Sequence, residues 1–288
     1  MLRPRKSASL LFAAWRDLEQ RKVSIPLLKD RHVPVLLQAL TKPDELSHLE
    51  SHPMTWKGGV DIVATRTRLL DTWLERPSWP PLRTTRRQTV LLGAGLDSRP
   101  YRLGFSRYVQ TVFEVDADEA MLQAKHAALQ AAGYEPRCGV KLVVADVRDM
   151  GAIESGLIAS GFDPRLPTRW VAEGILEQLP ATSHAGLFAL CQRLGGVAGS
   201  GIAAQALEPA FGAHARAVLA EAGGASAAEF PFEPDALVPR DETLGLLQTA
   251  GWTSVRGLGP TDIAEVTGRQ PPEGYNLVFG DADPLTAE

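Results

Sequence analysis

Two glycines and three acidic residues stand where apolar runs end. Val90-Leu91-Leu92 is followed by Gly93-Ala94-Gly95, Phe113-Glu114-Val115 by Asp116, the run Lys141 to Ala145 by Asp146-Val147, and Val171-Ala172 by Glu173-Gly174. Two glycines directly after a strand let the backbone turn tightly and approach a ligand closely, as nucleotide-binding folds require. An acid about 20 residues beyond such a turn accepts hydrogen bonds from the two hydroxyls of a ribose, which makes Asp116 a candidate and Glu114 a second. Asp146 is placed to bond an adenine amino group, and Glu173 to sit beside a reacting centre. Plainer roles fit the same residues: a strand-to-helix turn for the glycines, a helix N-cap for Asp116 and a loop-capping acid for Asp146. The third glycine of the dinucleotide fingerprint is missing, since Asp97-Ser98 follow instead. That counts against a pyrophosphate on the helix N-terminus.

The elements that must carry these residues follow from periodicity. Strands are expected at Gln88 to Leu92, Thr111 to Val115, Lys141 to Ala145, Arg169 to Ala172 and, weakened by its glycines, Val197 to Ala204. Helices are expected at Ala117 to Ala132 and Thr182 to Leu194. Such alternation implies a parallel sheet covered on both faces, with ligands bound at the carboxyl ends of its strands. Upstream, Leu10, Leu11, Ala14 and Leu18 recur at helical spacing, Asp30 to Leu40 repeats the pattern after Pro26, and Val60 to Leu74 is amphipathic until Pro77, Pro80 and Pro81. Lys42 to Gly59 reads as a loop. The Ala- and Gly-rich stretch 205–235 reads as an inserted lid. A helix at Arg240 to Ala250 and strands near Thr253 to Gly257 and at Tyr275 to Gly280 complete one domain. Its parts are a helical cap (1–75), a ligand-binding core (84–204), the lid (205–235) and the rest of the sheet (236–288).

Composition narrows the function. The 288 residues are 44% hydrophobic and 22% charged with a net charge of −4, enough apolar material for a core and too little for disorder. No apolar run reaches the roughly 18 to 20 residues of a membrane helix. The basic start (Arg3, Arg5, Lys6) and the patch Leu10 to Ala14 are cut short by Trp15-Arg16-Asp17, so a signal peptide is not expected and a cytoplasmic location is. Cys138 and Cys191 lack partners at ligand spacing, which argues against zinc and against a disulfide framework. A mildly acidic chain without a Lys/Arg stripe has no footprint for nucleic acid.

Four motifs in order, LLGAGLDSRPYRL at Leu91 to Leu103, FEVDADEAMLQAK at Phe113 to Lys125, ADVRD at Ala145 to Asp149 and AEGILEQL at Ala172 to Leu179, resemble the leucine carboxyl methyltransferase family. The upstream ATRTR at Ala64 to Arg68 is similar to the family's Arg-containing helix. The resemblance implies a Rossmann-like class I methyltransferase sheet, mostly parallel with an antiparallel last strand. It also implies S-adenosylmethionine as cofactor and an acceptor that is a protein C-terminal carboxylate or a secondary metabolite. It further implies that Arg66 pairs with the methionyl carboxylate, that Gly93, with Gly95 in the same turn, lies under that moiety, and that Asp116 holds the ribose. Asp146 and Val147 would flank the adenine and Glu173 would face the amino group. An Arg suits a carboxylate and an acid suits an ammonium on electrostatic grounds as well; Arg68 reads as a solvated helix face. Where the family commonly has Tyr, this chain has Gln178.

The expected activity is O-methylation of a small-molecule acceptor, a carboxylate before a hydroxyl. A carboxylate is already ionised and needs no base, whereas a hydroxyl does. His184 and His214 read as surface or helix residues, and His48 with His52 lacks a third ligand, so neither a catalytic base nor a metal site is assigned. The alternatives are protein C-terminal carboxyl methylation, a non-catalytic S-adenosylmethionine-binding module and an NAD-dependent oxidoreductase.

Overall fold

A computed structural model describes residues 4–76, 87–105, 109–222 and 235–282. Four helices come first: α1 (Pro4–Lys22), α2 (Val33–Leu40), α3 (Pro43–Glu50) and α4 (Val60–Glu75). A seven-stranded sheet with its covering helices follows: β1 (Arg87–Leu92), α5 (Arg99–Arg102), β2 (Val109–Asp116), α6 (Glu119–Ala131), β3 (Gly139–Val144), α7 (Met150–Ala159), β4 (Thr168–Ala172), α8 (Ala181–Gly195) and β5 (Gly201–Leu207). The chain closes with α9 (Pro209–Glu221), α10 (Arg240–Thr249), β6 (Thr253–Leu258), α11 (Pro260–Thr267) and β7 (Tyr275–Asp281).

The strand order is β3-β2-β1-β4-β5-β7-β6. β1 to β5 run parallel, and β7 lies antiparallel between β5 and β6. The order reverses between β1 and β4, which opens a crevice at their carboxyl ends where such sheets bind ligands. Strand residues alternate between two apolar layers. Leu91, Val112, Val171, Ala203 and Leu277 pack towards α1, α4, α6 and α9. Val90, Leu92, Phe113, Trp170 and Ile202 pack towards α7, α8 and α10. Both faces being covered, the strands are apolar runs rather than polar–apolar alternations.

The described segments depart from the sequence expectations in several places, beginning with the helices α5, α7 and α11, which the periodicity does not mark. Within 42–59, Pro43–Glu50 is helical and Thr55–Gly59 forms a π-turn; Pro43 sits at the first helical position, where its missing N–H costs nothing. β5 begins at Gly201 and runs to Leu207, so 197–200 precede the strand, Gly201 opens it, and residues 205–207 of the expected lid belong to the sheet. Pro209–Glu221 then forms α9, whose Phe211, Ala215 and Leu219 are buried in the α1 layer. Residues 223–234 of that lid, and Pro77, Pro80 and Pro81, lie outside the described residues.

Glu114, expected as a second ribose candidate, is fully buried on β2 and bonded to Lys125 Nζ and His126 Nε2 of α6, each at 2.7 Å. Burial alone would raise its pKa, but Lys125 and His126 hold it below the usual carboxylate range. It pins α6 to the sheet and does not reach the crevice. The chain is also tied end to end: Arg269, after α11, donates to Glu19 at 3.1 Å and to the Ile25 carbonyl at 2.7 Å. No described helix is long and apolar enough to cross a membrane.

Replacing Lys125 by Met leaves Glu114 buried with half its partners. We expect a loss of about 3 kcal/mol or more in urea unfolding, most of it recovered when Glu114→Gln is added.

Candidate active site

The crevice is built from loops at four strand ends and roofed by α1. One lobe is lined by Asp116, Val147 and Gln178, the adjoining lobe by Arg16, Arg66 and Asp97, and the two share Ser9, Phe12, Gly93 and Glu173. Gly93 takes φ +66°, and a Cβ there would fall 2.1 Å from Ile175 Cδ1. Both conformation and space therefore require glycine. Gly95 donates its N–H to Asp116 Oδ2 at 2.9 Å, and Asp118 N–H donates to Oδ1 at 2.9 Å. Two backbone donors thus fix the Asp116 carboxylate at the rim, with lone pairs left for a ligand. The N-cap of α6 is Asp118, which accepts from Met121 N–H, and not Asp116.

The second lobe is charged. Glu173 meets Arg66 Nε at 2.7 Å through Oε1 and Arg99 Nη1 at 2.7 Å through Oε2. Burial opposes ionisation, yet Arg99, Arg66 and Arg16 hold its carboxyl at about 2. Arg66 also donates to Gln205 Oε1 at 2.7 Å and stacks on the Phe12 ring, its guanidinium 4.5 Å from the centroid. Arg99 continues to Asp97 and Asp71, and Arg102 joins Asp71 to Asp30. Arg16 bonds the Leu96 carbonyl at 2.9 Å while its buried Nε has no partner.

The structure thus brings Arg66, Gly93, Asp116, Val147 and Glu173 to one crevice, with Gly95 on its floor. Asp146 is held by Arg148, which approaches it to 2.6 Å, and is not among the lining side chains. His184 is buried in α8 against the Leu176 and Leu179 carbonyls, where burial lowers its pKa, and His214 bonds the Lys57 carbonyl. Neither lines the crevice. Among the described residues no cluster of three His, Cys, Asp or Glu side chains could hold a metal. Phe12, Arg16 and Arg99 escaped the sequence reading. Arg16 had left a trace as a charge inside the apolar stripe of α1, and Arg99 as the cation directly after the glycine turn.

The leucine carboxyl methyltransferase family profile matches residues 9–192. A Saccharopolyspora erythraea protein named "Putative S-adenosyl-L-methionine-dependent methyltransferase" is 35% identical over 182 residues, covering 63% of this chain and 60% of the relative. A similarly named protein of Mycolicibacterium smegmatis is 36% identical over 188 residues, with coverages of 63% and 60%. The matched part therefore spans about 60% of these relatives' length. Among solved structures, a DUF574 family protein of Streptomyces avermitilis has the same fold, with a TM-score of 0.55 at 14% identity over 94% of this chain and 97% of that one.

Because Glu173 titrates lower folded than unfolded, it contributes stability that is present above the unfolded carboxylate range and lost as pH falls towards 2. Glu173→Gln is expected to be less stable than the parent at pH 7, by about 3 kcal/mol. The gap should close between about pH 4.5 and 2, as read by thermal melts across that window.

Proposed function

The chain belongs to the leucine carboxyl methyltransferase family, and from that premise we propose that it is an S-adenosylmethionine-dependent O-methyltransferase acting on a small-molecule carboxylate or hydroxyl of secondary metabolism. The observation that carries this reading is the gathering of Arg66, Gly93, Asp116 and Glu173 at the β1/β4 reversal point. The residues present fit the cofactor. A methionyl group carries both a carboxylate and an ammonium, and the charged lobe offers both signs: Arg66 with the unpartnered Arg16 Nε, and Glu173. At the other end, Asp116 offers a fixed carboxylate for ribose hydroxyls, and Val147 an apolar wall for adenine, with Asp146 next to it.

When bound, S-adenosylmethionine supplies a sulfonium methyl group for in-line displacement. The protein's part is to hold the acceptor on that line and keep water out. Phe12 and Ile175 close the crevice over Gly93 and Gly174 and serve the second task. A carboxylate acceptor needs only orientation, which the surrounding guanidinium groups supply. A hydroxyl needs a group to receive its proton.

Calorimetric titration with S-adenosylmethionine, S-adenosylhomocysteine and NAD in parallel tests the cofactor. Micromolar binding of the two adenosyl ligands and none of NAD is expected; binding of NAD alone overturns the reading. Asp116→Ala should weaken S-adenosylhomocysteine binding by about 1 to 3 kcal/mol. Arg66→Ala should weaken it as well and Arg68→Ala should barely change it; the reverse ranking would refute the role of the α4 arginine.

A further inference from the structure

A buried polar wall that the cofactor residues do not use stands behind the crevice and borders it at Gly174. Beyond Gly174 lie Glu177, in the turn after β4, Gln205 on β5 and Tyr275 at the start of β7. All three are buried. The pairing of β5 with β7 sets Gln205 opposite Leu277 and Leu207 opposite Tyr275, which makes Gln205 and Tyr275 diagonal neighbours at the carboxyl rim of the sheet. Gln205 joins this wall to the charged lobe, donating through Nε2 to Glu177 Oε1 at 2.5 Å and accepting from Arg66. Two polar atoms here have no partner: Glu177 Oε2 and the Tyr275 hydroxyl. Buried polar groups left unmet are costly and uncommon, and such a pair calls for a ligand.

The wall meets the crevice at Gly174. A Cβ on Gly174 would lie 3.6 Å from Phe12 Cε2, 3.7 Å from Glu177 Oε1 and 3.9 Å from Arg66 Nη1, and its φ of +72° disfavours any side chain. At this bare backbone an aromatic ring, a carboxyl and a guanidinium converge, beside the lobe assigned to the methionyl group.

We propose that Glu177 and Tyr275 form the acceptor subsite and that it takes an uncharged hydroxyl, with Glu177 accepting the hydroxyl hydrogen and Tyr275 donating to its oxygen. One hydroxyl supplies the donor and the acceptor that the two unmatched atoms lack. A carboxylate has no hydrogen to give Glu177 and brings a second negative charge against it. The groups facing Glu177 are Arg66 from α4, Glu173 from the end of β4, and Gln205 and Tyr275 from the sheet. Burial pushes the Glu177 carboxyl up to about 7, which suits a group that must receive a proton near neutrality. Burial likewise raises the Tyr275 phenol well above its ordinary value, so it stays a donor. The inference rests on the reading of the crevice as a cofactor site and narrows its acceptor from carboxylate or hydroxyl to hydroxyl.

The test uses the full chain saturated with S-adenosylhomocysteine, with phenol and benzoate as probes, titrated calorimetrically at pH 6 and pH 8. Phenol should bind at both pH values, and benzoate should lose up to about tenfold in affinity from pH 6 to pH 8 as Glu177 ionises. Glu177→Gln should weaken phenol at pH 8 at least tenfold and remove the pH dependence of benzoate. Tyr275→Phe, which keeps the ring in place, should weaken phenol severalfold, and both variants should hold S-adenosylhomocysteine within threefold of the parent. Phenol that does not bind, phenol indifferent to both substitutions, or benzoate bound equally at both pH values overturns the subsite. Failure of the underlying cofactor reading shows separately, as no S-adenosylhomocysteine binding before any probe is added.

Discussion

The position of one carboxylate governs the crevice. Glu173 stands at the end of β4 with Arg66 of α4 on one side and Arg99 of α5 on the other, 2.7 Å from each. A buried acid with only one of these partners would be an uncompensated charge, so the three elements have to arrive together. Arg99 and Arg102 extend the constraint through Asp71 to Asp30, and Asp30 faces Arg16 of α1. The helical cap is thus locked to the sheet by alternating charges as well as by apolar packing. The same alternation makes the lobe complementary to a molecule carrying both signs.

The sheet was largely legible in the sequence because it is local. Strands buried on both faces must be apolar runs, and an acid or a glycine at the end of such a run marks a carboxyl-end loop. Gly93, Asp116 and Glu173 were found in this way. Glu114 misled because the alternation of a strand does not say which face meets a helix; Lys125 and His126, 11 and 12 residues later, decide that. Helix α3 was hidden by Pro43, read as a loop residue when it occupies a helix start. Of the two glycines in the expected fifth strand, Gly199 leads into β5 and Gly201 opens it.

Most of the wall was not legible, and distance along the chain is the reason. Arg66 reaches Gln205 across 139 positions, and Arg16 reaches the Leu96 carbonyl across 80. No spacing rule connects such residues, because only the closed sheet makes them neighbours. Gln205 and Tyr275 also lie past residue 192, where the family match ends. The residues proposed to hold the cofactor therefore fall within the matched part of the chain, and Gln205 and Tyr275 beyond it.

The bond from Arg269 back to Glu19 and the Ile25 carbonyl has a temporal side. The residue that fastens the far end of α1, Arg269, is made about 250 positions after Glu19. Leu10, Leu11 and Trp15 of α1 find α2, α3 and α4 soon after they are made, whereas Glu19 waits for Arg269 while synthesis runs on at about 5–20 residues per second. The roof of the crevice can therefore pack early on its neighbouring helices and still be secured late at its far end. For many seconds of synthesis the apolar face of α1 has its neighbours while Glu19 still lacks its cation.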